Sequence, residues 1–491
     1  MARLIGLDVG TSSIKGIAID EEGAVLGVAE RAHPLSTPRP GWAEQDPEDW
    51  WAGTQAVLAE LDADRADGIG LAGQMHGLVA LDAHGEVLRP AILWNDGRTQ
   101  AQCDEIEERV GRDRLVALTG NRALAGFTAP KLLWLREHEP DTYAAIRHVL
   151  LPKDEVRRRL VGGELGADVS DAGGTLLFDV AARAWSSEVC EALGIDEGWL
   201  APVHESGALA GHARVGARGS AAAGVDGRAI PVAAGAGDQA AGALGVGVVR
   251  AGGAASVVLG TSGVVFAAQD AFAADPQARV HTFCHCVPGT WHAMGVMLSA
   301  AGSLRWLRDA LGGTYAELLD AAAGWEPGAE GLVFAPYLAG ERTPHADADA
   351  RGGFLGLGLR HDRGALTRAV LEGVAFGLLD GLELVSATAG RPSVARVSGG
   401  GARSALWLEI VASVLDLPLE LVGVDEGAAF GGALLGGVAA GVFDGPAEAA
   451  EACVRVTRVV EPRPEWVARY AELRPAFQAA WPALQAVRAA V

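Results

Sequence analysis

The tripeptide Gly-Thr-Ser occurs twice, at Gly10-Thr11-Ser12 and at Gly260-Thr261-Ser262, and each copy sits between two short apolar runs. Leu4-Ile5-Gly6-Leu7-Asp8 leads into the first tip, and Ile14-Lys15-Gly16-Ile17-Ala18-Ile19-Asp20 leaves it. Around the second stand Ala255-Ser256-Val257-Val258-Leu259 and Val264-Val265-Phe266-Ala267-Ala268. Short β-branched runs bounded by glycine and hydroxyl residues read as strands joined by a turn. The repetition predicts a duplicated unit, with a hairpin in each half.

Apolar residues recur at helical spacing over Pro47–Leu61, Ala101–Val110, Pro130–Glu137, Ser303–Leu311, Gly364–Thr388 and Ser404–Leu415. Strands alternating with helices predict an α/β fold. A chain of 491 residues has room for two large domains. The join is expected in the glycine-rich stretch Gly242–Gly253, dividing the chain into domains 1–244 and 245–491. The Ala-, Glu- and Arg-rich tail Ala447–Val491 is expected to pack as terminal helices. Two uncharged runs, Ala251–Gln269 and Gly427–Phe443, are diluted by glycine and alanine and read as buried core rather than as membrane spans.

With 49% hydrophobic and 21% charged residues, the chain can bury enough apolar surface to offset its ordering entropy, which excludes disorder. Its 62 acidic and 40 basic residues give a net charge of −22. Such a field repels polyanions, so neither nucleic acid nor an anionic membrane surface is an expected partner. The five cysteines (Cys103, Cys190, Cys284, Cys286 and Cys453) are scattered, and no leader-like segment precedes Arg3, so a reducing cytoplasm is the expected compartment. The only lysines are Lys15, Lys131 and Lys153, and each is a candidate for a specific task.

In so acidic a chain a bound phosphate must be held by local devices, such as backbone amides at a glycine turn. No P-loop pattern occurs. Gly68-Ile69-Gly70-Leu71-Ala72-Gly73 has dinucleotide-like glycine spacing, but it lies within a strand and leads to Gln74-Met75-His76-Gly77 instead of a long helix. The hairpin tips fit better. Gly10 lets the main chain approach a phosphate, Thr11 and Ser12 offer hydroxyls, Lys15 adds a cation, and Asp8 could hold a metal through water; an ordinary turn is the competing reading. Asp238, set among small residues in Gly235-Ala236-Gly237-Asp238-Gln239-Ala240-Ala241-Gly242, suits a general base in phosphoryl transfer; a helix cap is its alternative. Ser398-Gly399-Gly400-Gly401-Ala402-Arg403-Ser404 lies between a strand and a helix, where a nucleotide could rest on bare backbone or where there is only a loop. Trp94-Asn95-Asp96-Gly97-Arg98 is either a turn or the wall of a small polar site. His281-Thr282-Phe283-Cys284-His285-Cys286 has metal-like spacing but no second Cys-x-x-Cys. Trp42, Trp50 and Trp51 read as packing.

Taken together, Asp8-Val9-Gly10-Thr11-Ser12, Gly237-Asp238-Gln239-Ala240-Ala241-Gly242, Leu259-Gly260-Thr261-Ser262-Gly263 and Ser398-Gly399-Gly400-Gly401-Ala402 resemble the FGGY carbohydrate kinases, as does Gly126–Leu135. The likeness runs essentially end to end. It is nearest to the branch acting on D-xylulose, through Gly41–Pro47, Ala72–Gly77, Ile92–Arg98, Leu151–Asp154 and Pro336–His345. The resemblance implies two actin-like, ribonuclease-H-like ATPase domains flanking a catalytic cleft, and transfer of phosphate from ATP to D-xylulose with Mg2+. By carry-over, Asp238 is the base, Asp8 and Asp238 are the magnesium-side carboxylates, and Met75, His76, Trp94, Asn95, Asp238 and Gln239 are on the sugar side. Thr11, Ser12, Lys15, Gly260 and Thr261 are placed around the phosphates, and Gly400 and Gly401 at the adenosine. A homodimer is kept open.

Two positions depart from the family pattern: Gln239, where many members carry asparagine, and Ala365, in a usually polar place. A sister kinase acting on ribulose, glycerol or gluconate is the nearest alternative. An actin-like ATPase without a sugar acceptor is the alternative from another class.

Overall fold

The computed structural model describes residues 2–215, 227–424 and 427–490. Both hairpins are present: strand Leu4–Val9 pairs antiparallel with Ser13–Ile19, and Ala254–Leu259 with Gly263–Gln269. Each hairpin extends on one side into a third antiparallel strand, Val25–Ala32 in the first half and Trp291–Met297 in the second. On the other side each first strand has a parallel partner, Gly68–Gly73 and Val394–Ser398 respectively.

Parallel neighbours require a crossover, and helices supply it. Helix Pro47–Glu60 crosses the first half, started by the Asp46 carboxylate, which accepts from the Glu48 amide at 2.9 Å, and by Pro47 at its first turn. Helix Arg363–Ala389 precedes the parallel strand of the second half. The first sheet runs Leu209–Val215, Arg228–Ala233, Gly68–Gly73, Leu4–Val9, Ser13–Ile19, Val25–Ala32. The second runs His281–Cys284, Trp291–Met297, Gly263–Gln269, Ala254–Leu259, Val394–Ser398, Leu419–Val422, Val456–Val460. Helices cover both faces of the central strands, which is why Leu4, Ile5 and Leu7 form a continuous apolar run with no exposed member.

The tail differs from expectation. Between helices Pro446–Cys453 and Pro464–Ala489, residues Val456–Val460 form an antiparallel edge strand against Leu419–Val422. Four of its five residues face solvent, so its β-branched character is the only local signal, and the helix-forming composition on either side masks it. Val491 lies outside the described residues. Of the two uncharged runs, Ala251–Gln269 contains the second hairpin, and Gly427–Phe443 contains the helix Gly427–Ala439. Among the described residues no helix is long and apolar enough to cross a membrane.

Helix Gly427–Ala439 belongs to the second half of the sequence but lies on the first sheet, against Leu4–Val9 and Gly68–Gly73, and against helix Asp238–Gly245. The approach is backbone to backbone. A Cβ on Gly6 would fall 1.8 Å from the Ala429 carbonyl oxygen, and one on Gly431 would fall 1.9 Å from that of Ala241. The glycine spacing of Gly68–Gly73 has the same explanation: Gly70 admits the helix at Gly432.

Candidate active site

A cleft open to solvent is lined from both halves of the chain. Met75, His76, Trp94, Phe127, Asp238 and Gln239 line one side; Ser262, Val264, Met294, Val296 and Arg342 line the other. It opens where the first strands of both sheets end in their Gly-Thr-Ser tips, the usual place for ligands in open α/β sheets.

Asp238 begins helix Asp238–Gly245, directly after the two-residue strand Ala236–Gly237 that pairs with the end of Gly68–Gly73. The Gly237 amide donates to Ser170 Oγ at 3.1 Å, and Ser170 Oγ donates to Asp168 at 2.6 Å. Behind this lies a fully buried ion cluster: Lys153 Nζ stands 2.6 Å from Asp154, 2.8 Å from Asp168 and 3.5 Å from Asp171. Burial works against the ammonium charge, but the three carboxylates outweigh it and keep Lys153 protonated. The turn that presents Asp238 is thereby fixed from below. Gln239 Nε2 donates to Asp238 Oδ1 at 3.3 Å, so the departure at this position adds a hydrogen bond to the carboxylate.

Burial pushes Asp238 up to about 7, the charge of Asp8 adds to the rise, and the Gln239 hydrogen bonds oppose it. Burial likewise raises Asp8 to about 6, against the pull of Lys15, its partner across the hairpin. Asp8 Oδ1 is buried without a hydrogen-bond partner. Two facing carboxylates, one with an orphaned oxygen, fit a magnesium ion that takes one or two protein carboxylates and completes its shell with water and phosphate.

At the first tip the Thr11 hydroxyl accepts from Trp94 Nε1 at 2.9 Å and donates to Gln74 at 3.2 Å. Thr11 therefore ties the tip to the wall around Trp94, while Ser12 is exposed. At the second tip the carbonyls of Gly260 and Thr261 accept from the amides of Ala301, Ala300 and Gly302, at the start of helix Ala301–Leu311. Gly399, at φ 89°, and Gly401 press against Leu259, beside Gly260, while Gly400 is open. The bare backbone of Gly260 and Gly400 thus lies at adjacent strand ends.

His76 has the left-handed φ of 70°, uncommon for a non-glycine residue. Its carbonyl accepts from Lys131 Nζ at 2.7 Å and Thr128 Oγ1 at 3.0 Å, and Lys131 also donates to Gly126 at 2.7 Å. Its ring meets Phe127 edge-on, with centroids 4.6 Å apart. Burial drives His76 down to about 3, although the Gly174 carbonyl opposes the fall, so the ring is neutral.

Asn95 is not among the cleft-lining residues; it lies exposed on a turn held by its neighbour Asp96, whose carboxylate accepts from the Ala43 amide and pairs with Arg98 at 2.6 Å. Trp42 packs under the Arg98 guanidinium, 3.7 Å from its ring centroid, and Trp50 is fully buried. Ala365 is buried in the first turn of its helix, where its amide donates to the Asp362 carboxylate at 3.0 Å. The cysteines are buried free thiols, and among the described residues no three metal-ligating side chains converge. Sequence reasoning missed Phe127 and Arg342 as site residues, although both lie in runs that carried the resemblance.

This cleft between two sheets of like topology, with Asp238 in its lining and a Gly-Thr-Ser tip on each half, has the architecture of a sugar kinase. Residues 3–245 match the N-terminal domain of the FGGY family of carbohydrate kinases and residues 255–440 match its C-terminal domain, and the chain belongs to that family. It is 44% identical to the xylulose kinase of Escherichia coli strain K12 over 89% of this chain and 90% of that protein. It is 37% identical to the xylulose kinase of Lactococcus lactis over 96% and 95%. Among solved structures, the xylulose kinase of Rhodospirillum rubrum superposes with a TM-score of 0.90 at 33% identity over 99% of both chains. A Brucella ovis protein described as a xyloylose kinase gives 0.91 at 41% identity, over 99% of this chain and all of that one. The chain shares with these structures the two-domain actin-like ATPase fold.

Proposed function

We propose that this chain transfers the γ-phosphoryl group of ATP to the 5-hydroxyl of D-xylulose, giving D-xylulose 5-phosphate and ADP, in the breakdown of xylose in the cytoplasm. The observation that carries the reading is the placing of Asp238 against Met75 and His76 in one cleft, with Asp8 beside it. Curated relatives named xylulose kinase over some nine-tenths of the chain support the choice of sugar. The domain division is drawn at 244/245, where helix Asp238–Gly245 ends.

In this mechanism the sugar lies on Met75 and beside His76, with its 5-hydroxyl at Asp238. The ionised Asp238 carboxylate accepts the hydroxyl proton as the new O–P bond forms and the bond between the γ-phosphorus and the bridging oxygen breaks, leaving the electron pair on ADP. Asp8, with its unpaired oxygen, and Asp238 are the side chains that would hold Mg2+. When bound, the ion offsets charge on the phosphates. Lys15 and Ser12 at the first tip and the bare backbone of Gly260, Thr261, Gly400 and Gly401 receive the nucleotide. Thr11 holds the tip to Trp94. Closing of the two walls excludes water, which would otherwise compete for the phosphoryl group.

The test is ADP release with Mg2+ and ATP against D-xylulose, D-ribulose, L-ribulose, glycerol, gluconate and no sugar. Turnover on D-xylulose at least tenfold above every other acceptor supports the reading. A greater rate on another acceptor replaces the sugar, and equal ADP release without sugar removes the kinase reading.

A further inference from the structure

Arg342 reaches the cleft from the half of the chain opposite His76 and Asp238. Its mounting is rigid. The Glu341 carboxylate accepts from the amides of Leu298 at 2.9 Å and Arg342 at 2.8 Å, so it is occupied by backbone. Thr343 exchanges two hydrogen bonds with Val296, amide to carbonyl at 2.9 Å and amide to Oγ1 at 3.0 Å, and its hydroxyl donates to the Arg279 carbonyl at 2.9 Å. The guanidinium itself has no hydrogen bond or ion pair with any described residue. Its five N–H donors are thus unpaired in a site that Ser262, Val264, Met294 and Val296 line from the same half. Arg342 and His76 line the same cleft from opposite halves, and the positive charge of Arg342 works with burial to keep His76 and His281 neutral.

We propose that Arg342 donates to the carbonyl oxygen of an open-chain ketose and makes this site select the ketose over the corresponding polyol. The inference rests on the sugar-kinase reading above and assigns the end of the sugar remote from the reacting hydroxyl. A ketone oxygen only accepts, and a guanidinium only donates, so the two are matched in kind and the oxygen's lone pairs are satisfied. A hydroxyl in the same place brings a proton of its own, for which this wall offers chiefly the apolar Val264, Met294 and Val296, and a buried unpaired polar group is costly. The opposite wall is complementary: with Nδ1 of His76 directed at Gly174, Nε2 is left to accept from sugar hydroxyls. Because Arg342 and His76 come from different halves, the ketose is held from both sides only when the two walls are together.

The experiment compares the full chain with R342Q and R342K on D-xylulose and on xylitol, measuring kcat and KM for each acceptor and KM for ATP, with thermal melts to verify folding. The expected result is a rise of about tenfold or more in the D-xylulose KM of R342Q, equivalent to about 1.4 kcal/mol, with xylitol and ATP KM values within about twofold of wild type. R342K, which keeps the charge but loses the fork, is expected to fall between. Equal losses on D-xylulose and xylitol would overturn the proposal, as would a rise confined to the ATP KM. If the wild type prefers another ketose, only the identity of the sugar fails, and the same comparison on that ketose and its alditol tests Arg342. A wild-type preference for glycerol, which has no carbonyl, sinks both.

Discussion

Nδ1 of His76 lies 2.6 Å from the carbonyl oxygen of Gly174. A carbonyl can only accept, so Nδ1 carries the proton and Nε2 is the free acceptor facing the cleft. The fit is tight: a Cβ on Gly174 would stand 2.6 Å from that same nitrogen. Gly174→Ala is expected to push the ring out of place and His76→Ala to remove it. Each should raise the sugar KM by about tenfold, the worth of one or two hydrogen bonds, while the ATP KM moves little. Steady-state kinetics with each substrate varied decides it, and equal effects on both would remove His76 from the sugar site.

Asp238→Ala is expected to lower kcat by about 10² to 10⁴, the usual contribution of a positioned base. The carboxylate must be ionised to accept a proton and is held up to about 7, so the wild-type rate should fall as pH drops below about 7. Asp8 raises Asp238, and Asp8→Asn takes that charge away. The acid limb of its residual activity should therefore move to lower pH, and a pH–rate profile with an unmoved limb would count against the pairing.

The same carboxylates set a stability trend of opposite value to the cell. Folding raises Asp8 to about 6 and Asp238 to about 7 from an ordinary 3.8. The folded chain thus holds more protons than the unfolded one between about pH 4 and 7, and stability falls as pH rises through that window and levels off above it. Asp238→Asn should melt higher than wild type at pH 8, with the advantage shrinking toward pH 4. Calorimetry at both ends of the range checks the sign.

Gly431→Ala is expected to destabilise by about 1–3 kcal/mol or to prevent folding, because its Cβ would fall 1.9 Å from the Ala241 carbonyl oxygen. Ala428→Gly, a partly buried position on the same helix, is the comparison, expected to cost about 1 kcal/mol through propensity alone. Denaturant melts of the two variants separate close packing from helix weakening.

Both hairpins were legible in the sequence to within a residue or two, since an apolar run ended by Gly-Thr-Ser leaves the backbone few options. So were the helices begun by Pro47 and Arg363, whose periodicity is long. The strand Val456–Val460 was not, because an exposed edge strand of five residues carries no buried face to reveal it. Asp238 stood out by local chemistry, Met75 and His76 only through the family resemblance, and all three line the cleft. Arg342 did not, since nothing near it in sequence marks it as unpaired; that fact arises only when Glu341 turns its carboxylate to the backbone. Asn95 shared a turn with Trp94, yet only the tryptophan is directed at the cleft. The glycines of Gly68–Gly73 were read for what they exclude, while their use, admitting a helix from the far end of the chain, depends on a contact that no local pattern records.

The same helix Gly427–Ala439 also meets helix Asp238–Gly245, which carries the proposed base, with main chain against main chain at Gly431 and Gly245 and with Leu244 and Phe430 packed in one apolar cluster beside them. Where glycine meets backbone there are no rotamers to rearrange, so the spacing of the two helices at Gly431 and Gly245 is set by the main chain and not by a choice of side-chain packing. The walls of the cleft can be re-cut for a new acceptor while the crossing that sets their spacing is left as it was. Engineering of this scaffold should accordingly spend its changes on Met75, His76 and Arg342 and leave the glycine crossing untouched.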